Sequence, residues 1–95
     1  MLTRIVKMTF RPEHCQDFRR IFERVSPMIR AFPGCKGVKL YCDVNSPAIF
    51  FTYSIWDSET DLEAYRQSEL FSTTWTETKK LFAEKAEAWS LKEEG

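Results

Sequence analysis

The chain has 95 residues, of which 43% are hydrophobic and 15% aromatic, and its 14 basic and 14 acidic side chains cancel. This length and composition predict one globular domain over residues 1–95, with a polar tail at residues 92–95. Because a chain without net charge offers no overall field for nucleic acid or an anionic membrane surface, we expect neither as a partner.

The cysteines and the N-terminal segment indicate in which cellular compartment the protein is expected. Cys15, Cys35 and Cys42 are odd in number and lack CxxC spacing, so we interpret them as reduced thiols. With the single His14 they are too few and too scattered for a structural metal site. No signal-peptide pattern opens the chain, and no stretch approaches the ~20 apolar residues of a membrane span. These features predict a soluble, cytoplasmic protein.

The N-terminal third predicts a strand followed by a helix. Residues 2–10 alternate between apolar and more polar side chains, which is typical of a strand with one apolar face. A helix should begin at Pro12, and its apolar side chains recur at spacings of three and four. These side chains are Phe18, Ile21, Phe22, Val25, Met28, Ile29 and Phe32. Because Pro27 removes a helical hydrogen bond, we expect a kink or the end of the regular helix near Ser26.

The middle of the chain predicts a β-hairpin. Gly34 and Gly37 bracket the entry to a second strand at residues 38–44, and turn-forming residues 43–47 lead to a third at residues 48–56. In the third strand apolar and aromatic side chains occupy both alternating faces. One face holds Ile49, Phe51, Tyr53 and Ile55, and the other holds Phe50, Thr52 and Trp56. Such a strand requires cover on two sides.

Two capped helices and a short strand complete the pattern. Ser58 with Asp61 predicts a helix over residues 58–66, and Ser68 caps another that begins at Glu69. Residues 86–91 alternate and predict a last strand. The order is strand, helix, strand, strand, helical region, strand, which predicts a ferredoxin-like α+β domain with a βαββαβ antiparallel sheet.

The third strand, which is apolar on both faces, also predicts that the chain associates with a second copy of itself. Two helices can cover only one face of a four-stranded sheet, so a second copy of the chain would shield the other face. We therefore expect a homodimer with its sheets face to face and Tyr53 in the interface. The alternative is a monomer that exposes extra aromatic side chains.

Four segments together resemble the antibiotic biosynthesis monooxygenase (ABM) family. They are Phe32-Pro33-Gly34-Cys35, Tyr53-Ser54-Ile55-Trp56, Asp57-Ser58-Glu59, and the run from Tyr65 to Trp75 that contains Ser68-Glu69-Leu70-Phe71. The resemblance spans residues 2–91 and implies a dimeric α/β barrel with one pocket per subunit between sheet and helices. The family includes metal-free and flavin-free oxygenases, haem-degrading enzymes and an isomerase, so the fold alone does not decide the reaction.

Residue-by-residue comparison with that family narrows the range of possible reactions. Its anthrone oxygenases place an Asn four residues before the strand-ending Trp and a Tyr six residues after it. This chain is similar in keeping Trp56 but has Thr52 and Leu62 at those two places. The haem-degrading members carry a Trp and a His ten residues apart, where this chain has Tyr65 and Trp75. Without the His that binds iron, haem degradation is disfavoured.

The candidate site residues follow from side-chain chemistry. Histidine is the side chain that ordinarily exchanges protons around neutral pH, so His14 is a candidate catalytic base, unless it is a surface imidazole. Trp56, Tyr65 and Trp75 offer flat faces with N–H or O–H donors for a substrate, or form ordinary core, and Thr52 can donate one hydrogen bond. Arg4 is either a pocket cation or a strand-edge residue whose charge reaches solvent.

The resemblance implies a cofactor-independent monooxygenase for an aromatic, quinol-like or polyketide-like small molecule. Molecular oxygen would be the co-substrate, with no metal or other cofactor. The alternative is a non-catalytic small-molecule binding protein, or an isomerase, on the same fold.

Overall fold

The computed structural model describes residues 1–95 and contains a four-stranded antiparallel sheet with helices packed against it. The strands are β1 (Leu2–Thr9), β2 (Cys35–Cys42), β3 (Ile49–Trp56) and β4 (Glu87–Leu91). The helices are α1 (Cys15–Arg30), which a 3-10 turn (Pro12–His14) precedes, α2 (Glu59–Arg66) and α3 (Glu69–Lys79). The strand order β2-β3-β1-β4 puts β1 and β3 at the centre and confirms the predicted ferredoxin-like α+β fold.

Helix α1 continues through Pro27 to Arg30. The predicted alternative of an end near Ser26 is therefore wrong. Val25, Ser26 and Ile29 are all buried on either side of the proline, so packing holds this turn in place despite the lost hydrogen bond. None of the helices has the length and hydrophobicity needed to cross a bilayer.

Strand β2 begins and ends earlier than the sequence pattern predicts. Its start at Cys35 includes a register shift against β3 between Cys35 and Gly37, and Gly37 has a φ of 154° that favours glycine. At the other end Asp43 Oδ1 accepts a hydrogen bond from the Asn45 backbone at 2.8 Å, which starts the turn. The bulge lets the residues before Val38 pair with β3, so the strand starts at Cys35. The turn that begins at Asp43 leaves residues 43 and 44 outside the strand.

Both predicted serine caps are present. Ser58 Oγ accepts a hydrogen bond from the Asp61 backbone N–H at 3.1 Å, and Ser68 Oγ accepts one from the Phe71 N–H at 3.1 Å. Each satisfies a donor that the first helical turn leaves without a partner. The caps set the start of α2 directly after β3 and the start of α3 directly after α2, so both helices return over the same face of the sheet.

The core lies between that face and the three helices. Its largest fully buried side chains are Trp56, Phe10 and Phe50. One buried cluster joins Trp56 to α1, β2 and α2, and the other joins Phe10 and Phe50 to β1 and α1. Burial of these rings is the main contribution to the stability of a domain this small.

The opposite face of the sheet has no helical cover. Register pairs Ile5 with Tyr53 on one side and with Trp89 on the other. Tyr53 is 36% exposed, Trp89 42% and Leu91 45%, so large apolar side chains remain open to solvent here. We call this surface the open sheet face. It comprises the outward-facing side chains of the four strands, and its apolar members include Ile5, Tyr41, Phe51, Tyr53, Ile55, Trp89 and Leu91.

Candidate active site

A cavity of about 310 Å³ lies between the covered face of the sheet and the helices. Strand alternation turns Thr52, Ser54 and Trp56 of β3 toward it. Helix α3 contributes Phe71 and Trp75, which are four residues apart and therefore share one helical face. The lining is mostly apolar, and the volume is at the lower end of the range for small-molecule pockets, roughly 300–1,000 Å³.

One wall of the cavity is a row of stacked aromatic rings. Trp56 and Tyr65 stack with ring centroids 5.0 Å apart and planes 27° apart. Tyr65 meets Phe71 edge to face at 5.3 Å, and Phe71 lies nearly parallel to Trp75, at 5.8 Å and 11°. Such a wall complements a flat, apolar molecule. We call these four side chains the aromatic wall.

Tyr65 supplies a hydroxyl group within this apolar surrounding. Burial, with a smaller effect from the nearby Cys35, raises the pKa of Tyr65 to about 12. At neutral pH the phenol is therefore protonated and can donate a hydrogen bond, but it is a poor general base. Trp56 Nε1 already donates to Ser54 Oγ at 3.0 Å, so the indole N–H is engaged within the protein.

Two arginines form the polar end of the cavity. Arg4 of β1 and Arg66 of α2 line both the cavity and a depression that opens beside it on the surface. Burial lowers the pKa of Arg4, the charge of Arg66 lowers it further, and Glu63 partly opposes both. The side chain of Arg4 thus lines the cavity and also reaches the solvent-facing depression, and its role as a pocket cation stays a prediction.

Arg66 was not among the site residues predicted from the sequence. It lies four residues after the buried Leu62, so helical periodicity puts it on the inward face of α2. That periodicity was the available signal. The pairing of Arg66 with Arg4, 62 positions away in the chain, follows only from the fold.

The cavity brings together four of the five predicted site residues: Thr52, Trp56, Tyr65 and Trp75. His14 is not among the lining residues. It closes the 3-10 turn before α1, where its Nδ1 lies 2.9 Å from Asp17 Oδ2. The turn directs the imidazole toward the next turn of its own helix, and the structure gives it no contact with the cavity.

The lining contains no imidazole, and the side chain of its one carboxylate residue is 60% exposed and lies near a lysine of the other sheet face. That residue is Glu87, whose Oε1 lies 3.9 Å from Lys7 Nζ. Lys7 alternates with Val6 and Met8 and so belongs to the open sheet face. The cavity therefore combines flat aromatic surface, hydroxyl donors and cations, without an evident general base.

Comparisons with known proteins agree with this architecture. A family model described as "Antibiotic biosynthesis monooxygenase" matches residues 1–76. A solved structure described as an antibiotic biosynthesis monooxygenase is 17% identical, with a TM-score of 0.93 and coverage of 100% of both chains. A conserved protein from Methanosarcina mazei Go1 is 19% identical, with a TM-score of 0.92 over 99% of this chain and 94% of that one.

A variant of SnoaB, described as a cofactor-independent oxygenase from Streptomyces nogalater, is 14% identical, with a TM-score of 0.88 over 99% of this chain and 93% of that one. At such identities the likeness shows the fold alone. Comparison with curated proteins finds no match.

Proposed function

Because the chain belongs to the antibiotic biosynthesis monooxygenase family, we propose that it is a cofactor-independent monooxygenase for a flat aromatic or quinol-like molecule. The observation that carries this proposal is the aromatic wall beside buried hydroxyl donors and cations. The substrate would lie against Trp56 and Trp75, with Thr52 and Tyr65 as hydrogen-bond donors. Residues 1–95 would act as one domain, in the cytoplasm.

The chemistry suits a substrate that ionises readily. Loss of a proton from an activated C–H leaves an electron-rich carbanion, which transfers electrons to molecular oxygen and forms a C–O bond. Protonation gives a hydroperoxide. Loss of the second hydrogen of that carbon as a proton then breaks the O–O bond and expels hydroxide, which leaves a carbonyl group. The hydroxide takes up a proton and becomes water, so one oxygen atom enters the product and the other leaves as water.

The protein would lower the barrier by stabilising negative charge and excluding water. The neutral Tyr65 phenol can donate to the substrate oxyanion, and Arg4 and Arg66 favour the ionised substrate. Because the lining holds no free base, deprotonation would depend on the acidity of the substrate or on a base outside the cavity. His14 remains the proposed candidate for that second role.

Oxygen consumption with a panel of hydroquinones and anthrones tests the proposal. Tyr65→Phe keeps the ring and removes only the hydroxyl, so we expect kcat to fall about 10-fold or more through loss of an oxyanion donor. Tyr41→Phe is the matched control, because Tyr41 lies outside the cavity and is 50% exposed. An uptake rate no higher than that of the uncatalysed reaction across the panel would refute the oxygenase proposal.

His14→Ala, measured in the same assay, identifies the base. Loss of uptake with unchanged substrate binding would support a proton-transfer role for His14. Unchanged uptake would exclude His14 as the base.

A non-catalytic binding protein, or an isomerase, is the second candidate. The observation in its favour is the lack of a free imidazole or carboxylate at the cavity, together with Leu62 where the anthrone oxygenases carry a Tyr. Saturable binding of a quinol without oxygen uptake or conversion would support the binding function. Conversion of a ligand to an isomer without oxygen uptake would support the isomerase.

We also propose that the protein is a homodimer whose subunits meet through the open sheet face. Tyr41 and Tyr53 pack edge to face at 6.3 Å on this surface, beside the exposed Trp89. An apolar surface of this kind is costly to leave in water, and the same surface on a second copy would cover it.

A further inference from the structure

We propose that the cavity takes an aromatic molecule that carries a carboxylate group, which Arg4 and Arg66 bind at the cavity mouth. The inference rests on the proposed function, in that it assumes the same cavity and the same flat substrate. Beyond the proposed function, it specifies that the substrate is negatively charged and at which end of the cavity that charge lies.

Arg4 makes no direct ion pair with a carboxylate. Its backbone lies between Ser54 of β3 and Ser90 of β4, so both cross-strand neighbours are uncharged. One guanidinium nitrogen donates to Ser90 Oγ at 2.8 Å, and no carboxylate lies within ion-pair distance. Arginine carries five N–H donors in a planar fork, so most of them remain for a ligand.

Arg66 adds a second cation at the same place. Its Nη1 lies 3.2 Å from Glu63 Oε2, and the other oxygen of Glu63 accepts a hydrogen bond from Gln67 Nε2 at 2.8 Å. Glu63 is thus bound to side chains of its own helical region. Glu59 and Glu63 line only the outer depression, whereas both arginines also line the cavity.

The charge pattern therefore changes from the surface to the interior. Acidic groups offset the arginines on the solvent side, and no free carboxylate does so on the cavity side. Two neighbouring cations repel each other in a partly buried place, and Glu63 offsets this only in part. A ligand anion between them would reduce the remaining cost. A carboxylate suits this position because it accepts two parallel N–H bonds from an arginine fork.

The arrangement of the lining residues favours the same ligand. The aromatic wall accounts for the apolar body of the ligand, and the arginines lie where the cavity meets the solvent-facing depression. A carboxylate on the ring system would remain partly hydrated at that mouth, which limits its desolvation cost.

Calorimetric titration of the intact protein tests this proposal with two isosteric probes, a naphthalene carboxylate and the corresponding naphthalene carboxamide. We expect the wild type to bind the carboxylate at least about 10-fold more tightly, since hydrogen bonds to charged groups exceed neutral ones. Arg4→Gln should remove most of this preference and leave carboxamide binding unchanged.

Two variants control for structure. Ser90→Ala removes the hydrogen bond to Arg4 but keeps the cation, so a preference retained in it supports an anion site. Arg20→Gln removes an exposed arginine of α1, 70% accessible, and should change nothing. Thermal unfolding of Arg4→Gln checks that the domain still folds.

Four results would overturn the inference: no preference in the wild type, no binding of either probe, a preference that survives Arg4→Gln, or equal weakening of both probes by Arg4→Gln. Because the titration needs no turnover, it is independent of the oxygen assay. Charge preference without oxygen uptake would refute only the oxygenase, and oxygen uptake without charge preference would refute only the carboxylate site.

Discussion

At the scale of single residues, Tyr65 combines a structural and a chemical role. Its ring contacts Phe32, Trp56 and Phe71, while its hydroxyl is held in the neutral form by burial. A phenol whose pKa lies well above neutral is a donor over the whole physiological range. The residue therefore links the stability of the aromatic wall to the charge that the cavity can stabilise.

The raised pKa of Tyr65 predicts a loss of stability at alkaline pH. Between the ordinary value of 10.0 and about 12 the unfolded chain loses this proton and the folded chain keeps it, so unfolding becomes more favourable as pH rises. Two pKa units correspond to roughly 2 to 3 kcal/mol, an order-of-magnitude figure. Urea unfolding of wild type and Tyr65→Phe across this window measures it. The variant should lose less stability than the wild type, and parallel pH profiles for the two proteins would contradict the assignment.

At the scale of elements, Gly34 lies between the end of α1 and the start of β2, and it packs against the first turn of α2. Its φ is +85°, and a Cβ at this position would collide with the side chain of Asp61. Its carbonyl accepts a hydrogen bond from the Asp57 N–H at 2.8 Å. Asp61 in turn binds the Ser58 cap, so the contact at Gly34 sets where α2 lies over the sheet.

Gly34→Ala should therefore destabilise the domain by roughly 2 to 4 kcal/mol, through backbone strain and the clash with Asp61 together. Gly37→Ala is the matched control, because its φ is also positive, at 154°, but no atom lies within 4 Å of a Cβ there. Chemical unfolding of both variants measures the difference. Equal losses would show that the contact with Asp61 contributes nothing.

At the scale of the whole molecule, the sheet has one face under helices and one face open. The covered face forms the cavity, and the open sheet face carries exposed aromatic and aliphatic side chains from β2, β3 and β4. Both sides of one thin layer are apolar, so a domain of 95 residues leaves much of its apolar surface unburied as a monomer. Dimerisation would complete the second core.

Sedimentation of the purified protein tests the assembly. We expect the wild type to sediment as a dimer, and Tyr53→Lys to shift it toward monomers because it would bring a charge into the interface of each subunit. Val44→Lys is the control, since Val44 is 96% exposed in the turn after β2. A wild type that sediments as single, fully folded chains at high dilution would refute the dimer.

The sequence by itself determined the features that depend on neighbouring residues. Alternation in β3 separated Thr52 and Trp56 from Tyr53, and the serines at 58 and 68 marked two helix starts, because strand faces and caps are local properties. The family resemblance added the expectation of a pocket lined by Tyr65 and Trp75, which the structure places at one cavity.

Only the tertiary structure decided the features that depend on contacts between distant parts of the chain. It leaves His14 outside the cavity, and it carries α1 through Pro27 because the surrounding side chains are buried. It also brings Arg4 of the first strand beside Arg66 of the second helix. No local pattern encodes these outcomes, since packing and long-range electrostatics act only after the sheet and helices have come together.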